Sequence, residues 1–333
     1  MKKRGIGIGC MYYGIGNTGL PNPASAFVEW LDEGAANLLT GCADIGQGSD
    51  TVLAQVVAEE LGISMENVRV TSADTLVTPD GGATSASRQT YISGNAVRLA
   101  AQEAKQVALA EARAMLKTDG PVDFVRGQVI VNGKATTLTV KEVINNCRLK
   151  GKLTLGHGWF NPETTGLDAA TGAGSPYATY AFATQVVEVE VDTETGLVEV
   201  TRIVASHDVG KAINPQLVEA QIEGGSNMGV GYGLLEEVTV AEGRIGNPNF
   251  DTYLLPTALD TPEIYPFIVE DPEPTGPFGA KGVGEPALIP TAAAIANAVH
   301  DAIGVRIYSL PITPERVLQA LAEKEATVAK AAE

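Results

Sequence analysis

The succession of alternating and helix-period stretches narrows the fold of this chain more than any single motif in it. Apolar residues alternate through RGIGIGCMYY (4–13) and SAFVEWLDEG (25–34), and ANLLTGCADIG (36–46) adds a third extended stretch. SDTVLAQVVAEELG (49–62) then places Val52, Leu53, Val56, Val57 and Leu61 at helical spacing, between a Ser49/Asp50 cap and a Gly62 stop. MENVRVTSAD (65–74) reads as a short strand and GNAVRLAAQEAKQVALAEARAML (94–116) as a helix rich in strong helix formers. VDFVRGQVIVNGKATTLTV (122–140) predicts a hairpin through Asn132-Gly133.

Residues 151–178 are rich in Gly, Thr, Pro and Asn without periodicity and read as a long loop or domain boundary. Beyond them, YAFATQVVEVEVD and LVEVTRIVASHDVG flank TETG as a second hairpin, and EEVTVAEGRIG as a third. PQLVEAQIEGGSNMGVGYGLLEE, PALIPTAAAIANAVHDAIG and TPERVLQALAEK read as helices, the first with a glycine load that implies very close packing or contact with a ligand. Strands that come in hairpins rather than in regular βαβ alternation predict an α+β fold. Its expected form is two subdomains, 1–165 and 166–333, with mixed, hairpin-rich sheets packed against helices.

A chain of 333 residues is long enough for two cores, and 44% hydrophobic with 19% charged residues predicts an ordered protein. No apolar run reaches the roughly 18–20 residues that span a membrane, and MKKRGIGIGC lacks the apolar centre of a leader peptide, so it reads as a first strand. A net charge of −17 argues against a nucleic-acid partner and suits a cytoplasmic enzyme. Cys10, Cys42 and Cys147 are too few and too scattered for a disulfide framework, a zinc site or an iron–sulfur cluster. His157, His207 and His300 show no metal spacing.

Two nucleotide motifs fail on their context. Gly14-Ile15-Gly16-Asn17-Thr18-Gly19 matches G-x-G-x-x-G, but Pro21 and Pro23 deny the helix that would hold a pyrophosphate. Gly282, rather than Ser or Thr, follows Lys281, which excludes a phosphate loop. Four other segments combine glycines, amides or hydroxyls and a nearby helix start, which is donor chemistry suited to a phosphate-rich heterocyclic ligand. They are TGCADIGQGSDTVLAQ, GGATSASRQTYISGNA (81–96), HDVGKAINPQLVEAQIEGG (207–225) and GPFGAKGVGEPALIP (276–290). Each alone also reads as turn and cap chemistry, and Glu285 alone reads also as a first-turn helix carboxylate before Pro286.

In this order the segments resemble the second half of the molybdopterin-binding region of the molybdenum hydroxylase family, which includes xanthine dehydrogenase and aldehyde oxidoreductase. G-Q-G followed by T-x-x-x-Q, the A-S segment, D-x-G-x-x-x-N-P with Q-x-x-G-G, and G-x-K-G-V-G-E-P carry the likeness across nearly the whole chain. Within the family the chain is most similar to the medium molybdopterin subunit of nicotinate dehydrogenases, where this region is split between polypeptides. The start at Met1 and the terminal helix favour a naturally separate subunit over a fragment.

The resemblance implies Glu285 as general base toward a molybdenum-bound hydroxide or water, with hydride passing to a sulfido or selenido ligand. It implies cofactor contacts from Gly46, Gln47, Gly48, Thr84, Ser85, Ala86, Ser87, Gln221, Lys281, Gly282, Val283 and Gly284. Ala86 matches a small residue beside the metal. Tyr13 matches an aromatic of the substrate pocket, with core packing an equal alternative for Tyr12 and Tyr13. The expected cofactor is molybdopterin in its cytosine dinucleotide form, its dithiolene holding the molybdenum without protein ligands. Expected partners are a large molybdopterin subunit and chains bearing iron–sulfur clusters and FAD. The expected substrate is an N-heteroaromatic, nicotinate first, with xanthine or purine and aldehyde oxidation as alternatives. Aryl-CoA reduction, a non-catalytic subunit that caps another chain's site, and a metal-free phosphate-binding module complete the set.

Overall fold

The computed structural model describes residues 1–332. In chain order the strands and helices are β1 (Lys2–Gly14), β2 (Ala24–Trp30), β3 (Ala36–Thr40), α1 (Ser49–Leu61), β4 (Val68–Ser72), α2 (Gly94–Leu116), β5 (Val122–Val125), β6 (Gln128–Val131), β7 (Lys134–Thr139), α3 (Val140–Leu149) and β8 (Leu155–Phe160). They continue as β9 (Tyr180–Asp192), β10 (Val198–Asp208), α4 (Pro215–Leu234), β11 (Val240–Ala241), β12 (Arg244–Ile245), β13 (Glu263–Val269), α5 (Thr291–Ile303) and α6 (Pro314–Ala332). The α+β expectation holds.

The chain follows one path twice. Antiparallel β2 and β3 lead through α1 to β4, which lies parallel to β3, and α2 follows. Antiparallel β9 and β10 lead through α4 to β13, parallel to β10, and α5 follows. Each three-stranded unit is closed by an antiparallel edge strand from elsewhere, giving the orders β4-β3-β2-β8 and β1-β9-β10-β13. One core lies among the first sheet, α1, α2 and α3, and a second among the other sheet, α4, α5 and α6. β1 pairs with β9 from Lys2↔Asp192 to Gly14↔Tyr180, so the second sheet takes its edge strand from ahead of the first unit, across the boundary expected at residue 165.

Both edge strands meet their helix through glycine. A Cβ on Gly5, Gly7 or Gly9 of β1 would lie 2.2, 2.1 and 2.3 Å from the carbonyl oxygens of Ala298, Ala294 and Pro290. On β8, a Cβ at Gly156 or Gly158 would lie 2.0 and 1.8 Å from those of Ala100 and Ala96. Glycine on the strands and alanine on α2 and α5 let backbone pack against backbone. That arrangement hid β8, because the glycines that let this edge strand lie tight against α2 make 151–178 read as loop. Two other elements depart from the sequence reading. β13 contains Pro266, which a parallel edge position tolerates, and α3 starts at a capping box in which Thr139 and Glu142 satisfy each other's backbone N–H. The hairpin expected at 122–140 has three strands, its two turns made by Arg126-Gly127 and Asn132-Gly133, all at positive φ.

One charge is fully buried in the first core. Glu111 of α2 sits 2.6 Å from Lys150 and 2.5 Å from Lys152, and hydrogen bonds from these lysines hold its carboxyl below the usual carboxylate range. Stability from this cluster is therefore full above the usual range and is lost as pH falls through the folded value. Glu111→Gln should lower the urea midpoint at neutral pH and flatten this part of the acid dependence. Gly158→Val should cost roughly 1–3 kcal/mol or more by forcing α2 off the sheet. Gly166→Ala, with nothing within 4 Å of the added carbon, should stay within about 0.5 kcal/mol in the same measurement.

Candidate functional site

The two units face each other through equivalent parts. The loop entering α1 (45–49) and the loop leading to α2 (84–90) come from the first, and α4 and the loop leading to α5 (282–288) from the second. Between them lies a cavity of about 500 Å³ lined by Gly46, Gln47, Thr84, Ser85, Ser87, Gln221, Gly282, Val283, Gly284 and Glu285 among the residues expected at a cofactor. A second cavity, of about 620 Å³, is lined by Tyr12, Tyr13, Tyr177, Tyr180, Asn17, Thr18 and Ala86. Glu285 joins the two: it lines the first, and its Oε2 accepts a hydrogen bond from the Tyr13 hydroxyl, which faces the second.

Strained backbone forms the partition. Ala86 and Ser87 both sit in the left-handed region, at φ 52° and 51°, which costs roughly 1–3 kcal/mol for a residue with a side chain. The conformation is held from three sides. Gly16 N–H donates to Ala86 O (3.0 Å), Arg88 N–H to Ser85 O (3.1 Å), and Glu285 N–H to Ser87 Oγ (3.1 Å). Gly282 closes the fit, since a Cβ there would fall 2.0 Å from Ser87 O. Buried Arg88 braces the loop from behind, its guanidinium donating to the carbonyls of Gly81, Ala83, Asn22 and Pro23. Burial, and then the hydrogen bond to Glu285, push the Tyr13 phenol well above the usual tyrosine range, so it stays protonated and remains a donor.

Three expected cofactor residues lie elsewhere. The Lys281 ammonium is buried in an ion pair with Asp208 Oδ2 at 2.6 Å, which ties the loop to the end of β10. Gly48 caps α1 at φ 80° against Leu217, and Ala86 faces the tyrosine cavity. Nor is the start of α1 free for an anion, because Asp44 already accepts from the N–H groups of Gly46, Gly48 and Asp50 (2.8, 3.4 and 3.1 Å). Those bonds hold its carboxyl below the usual range despite the opposing effect of burial. Gln47 donates to Gln89 Oε1 (2.6 Å) and Ala43 O (3.0 Å), and Gln89 passes a bond on to Thr84 Oγ1 (2.6 Å), a chain of amides across the cavity wall.

The glycines of α4 divide between the two roles that their density allowed. Gly225 and Gly229 pack on Ala287 and Thr291, at 2.5 and 2.4 Å from an added Cβ, while Gly224 opens onto the cavity with nothing within 4 Å. Gly46 is likewise open. Sequence reasoning missed Gln89, Arg88, Tyr177 and Tyr180. Gln89 lies in the A-S segment, five residues after Thr84, whereas Tyr180 meets Tyr12 and Tyr13 through the β1–β9 pairing, with Tyr177 just ahead of β9. The lining offers amides, hydroxyls and bare backbone but no thiol or imidazole, and among the described residues no group of His, Cys, Asp and Glu could hold a metal ion. This donor set fits a pterin with phosphates, and a metal that brings its own sulfur ligands.

Residues 1–262 match the family model of a molybdopterin cofactor-binding domain. The chain is 35% identical over 326 residues to the xanthine dehydrogenase molybdenum-binding subunit of Escherichia coli O157:H7, covering 95% of this chain and 42% of that protein. The aldehyde oxidoreductase of Desulfovibrio desulfuricans ATCC 27774 superposes with a TM-score of 0.81 at 32% identity, over 96% of this chain and 32% of that one. The quinoline 2-oxidoreductase of Pseudomonas putida 86 gives a TM-score of 0.84 at 29% identity, over 97% and 42%. The chain thus spans less than half the length of each of these relatives. With the glycine-rich cavity, its amide lining and a lone carboxylate at its edge, these matches establish that the chain belongs to the molybdenum hydroxylase family of xanthine dehydrogenase and aldehyde oxidoreductase.

Proposed function

We propose that this chain is the base-bearing, molybdopterin-binding part of a multi-subunit hydroxylase that inserts water-derived oxygen at an electron-poor carbon of an N-heteroaromatic substrate, nicotinate first among them. The observation that carries this reading is the position of Glu285 between the amide-lined cavity and the tyrosine-lined one, bonded to Tyr13. The cofactor, when bound, supplies the oxidation and the activated oxygen. Gln47, Gln221, Ser85, Ser87 and the backbone of 282–284 would hold it. Glu285 Oε would take up the proton released when the substrate carbon is hydroxylated, and its backbone N–H, fixed on Ser87, limits where the carboxylate can reach. Tyr13 donates to the Glu285 carboxylate and aims it.

Tyr12, Tyr13, Tyr177 and Tyr180 offer ring faces to a planar substrate, and the Tyr177 and Tyr180 rings meet edge to face with centroids 5.5 Å apart. Their hydroxyls and that of Thr18 suit a ring nitrogen or a carboxylate. The name of the quinoline enzyme supports a heteroaromatic substrate, and those of the other two relatives favour purine or aldehyde oxidation as the second reading. The cofactor is proposed in its cytosine dinucleotide form with a sulfido or selenido ligand.

A partner polypeptide is proposed to complete the site, with iron–sulfur and FAD chains to carry electrons away. The outer face of the second sheet supports this, because Ile6, Ile8, Tyr12, Phe182 and Phe267 stand exposed there, Ile6 at 57% and Tyr12 at 74%, and the patch runs into the tyrosine cavity. No helix among the described residues is long and apolar enough to cross a membrane. A cytoplasmic location is proposed.

In the assembled complex, Glu285→Gln should lower turnover at least 100-fold with molybdenum content unchanged. Full turnover would leave only the capping-subunit reading, and a complex without molybdenum would remove the metal chemistry altogether. Tyr13→Phe should lower kcat by roughly 10-fold, since only the donor to Glu285 is lost. Difference ultraviolet titration against that variant should show the Tyr13 phenol ionising above the usual tyrosine range.

A further inference from the structure

Behind the Glu285 loop, outside both cavities, lies a buried cluster of polar side chains from four elements: Gln185 of β9, His207 of β10, Ser226 of α4 and Thr291 of α5, each at most 1% exposed. The Gln185 Nε2 donates to the carbonyl of Ala287 at 2.8 Å and to Ser226 Oγ at 3.1 Å, and lies 3.2 Å from His207 Nε2. Its Oε1 accepts from Thr291 Oγ1 at 2.6 Å. Buried polar groups this deep cost several kcal/mol when unpaired, so the arrangement is held in one orientation.

The chemistry of each atom fixes that orientation. A backbone carbonyl only accepts, so the amide nitrogen must face Ala287; a flipped amide would set two acceptors against each other. The nitrogen carries two hydrogens. One belongs to Ala287, which leaves the other to serve Ser226 or His207. His207 Nε2 must then be the unprotonated nitrogen, since a proton there would meet the amide hydrogens. The ring is neutral with its hydrogen on Nδ1, a buried atom with no partner. Burial supports the same state by pushing His207 down to about 4.

We propose that Gln185 is a positioning residue for Glu285, holding the base in place through the Ala287 carbonyl while clamping α4 and α5 on either side. The inference rests on Glu285 being the base. Ala287 ends the helical turn that Glu285 begins, and Leu288 N–H closes that turn on Glu285 O at 3.1 Å. Thr291 starts α5, so one amide grips the segment 285–291 at two points. Ser226 brings in α4, whose Gln221 and Gly224 line the cavity and whose Gly225 packs on Ala287. A single side chain that lines neither cavity therefore sets the spacing of the base against the cofactor wall.

Two variants in the assembled, cofactor-loaded complex test this. Gln185→Met keeps the bulk and removes every hydrogen bond. It should lower kcat per bound molybdenum roughly 10- to 100-fold with KM little changed, and hydrogen exchange should quicken in the peptide covering 285–291 but not in β9. Gln185→Glu keeps the acceptor and makes the donor depend on protonation, because a buried carboxyl titrates late. Its kcat should approach the parent value at low pH and fall as pH rises, a limb the parent lacks. Unchanged turnover per molybdenum in both variants would overturn the proposal, as would a decline in Gln185→Met matched by an equal loss of folded protein or bound molybdenum. If Glu285→Gln itself retains turnover, the reading of the base fails and this inference with it; if that variant is dead while Gln185→Met is fully active, only the positioning role fails.

Discussion

The contact between β1 and α5 is the constraint on which the site depends. Gly5, Gly7 and Gly9 let α5 lie directly on the strand, and Gly9 does so under the carbonyl of Pro290, five residues after Glu285. Four residues further along the same strand is Tyr13, whose hydroxyl binds Glu285. Backbone-to-backbone packing thus sets the height of the loop, and the tyrosine reads it out as a hydrogen bond. A side chain at Gly9 would lift Pro290 and open the Tyr13–Glu285 contact, although neither residue had changed.

Local signals in the sequence were legible where the physics was local. Helical spacing and the Gly62 stop marked α1, although Gly48 rather than Ser49 or Asp50 caps its start; strong helix formers marked α2, and Asn132-Gly133 marked its turn, because periodicity, propensity and positive φ are properties of neighbouring residues. β8 was illegible because its glycines are explained only by the alanines of α2, more than 50 residues upstream. At the site, motif order pointed to loops that the fold brings together, and Gln47, Ser87, Gln221 and Glu285 converge on one cavity. Motif membership did not reveal what each side chain does there. Lys281 answers the buried charge of Asp208, and the start of α1 is satisfied by Asp44, pairings that depend on tertiary contact. Tyr177 and Tyr180 carry no motif; Tyr180 reaches the second cavity because β9 runs antiparallel to β1, and Tyr177 lies just ahead of that strand.

The repeated path explains why the cavity lies where it does. In each unit the helix after the antiparallel pair and the loop after the parallel strand arrive at the same end of the sheet. Turned toward each other, these ends provide four glycine-bearing segments around one space. The chain carries a net charge of −17, yet Glu285 is the sole carboxylate among the residues of that lining. The other charged side chain of the lining, Arg88, directs its guanidinium to backbone carbonyls behind the loop, so no second carboxylate stands beside the base.

The early position of β1 bears on how the protein is made. During synthesis this strand leaves the ribosome ahead of the first unit, and its partner β9 follows only after the whole of that unit has been translated. Until then Ile6, Ile8 and Tyr12 belong to an unpaired strand, the kind of exposed segment that invites association between nascent chains. Gly5, Gly7 and Gly9 break up its apolar run, and Lys2, Lys3 and Arg4 put like charges at its head. The same glycines that later admit α5 lower the tendency of the waiting strand to stick to another copy of itself.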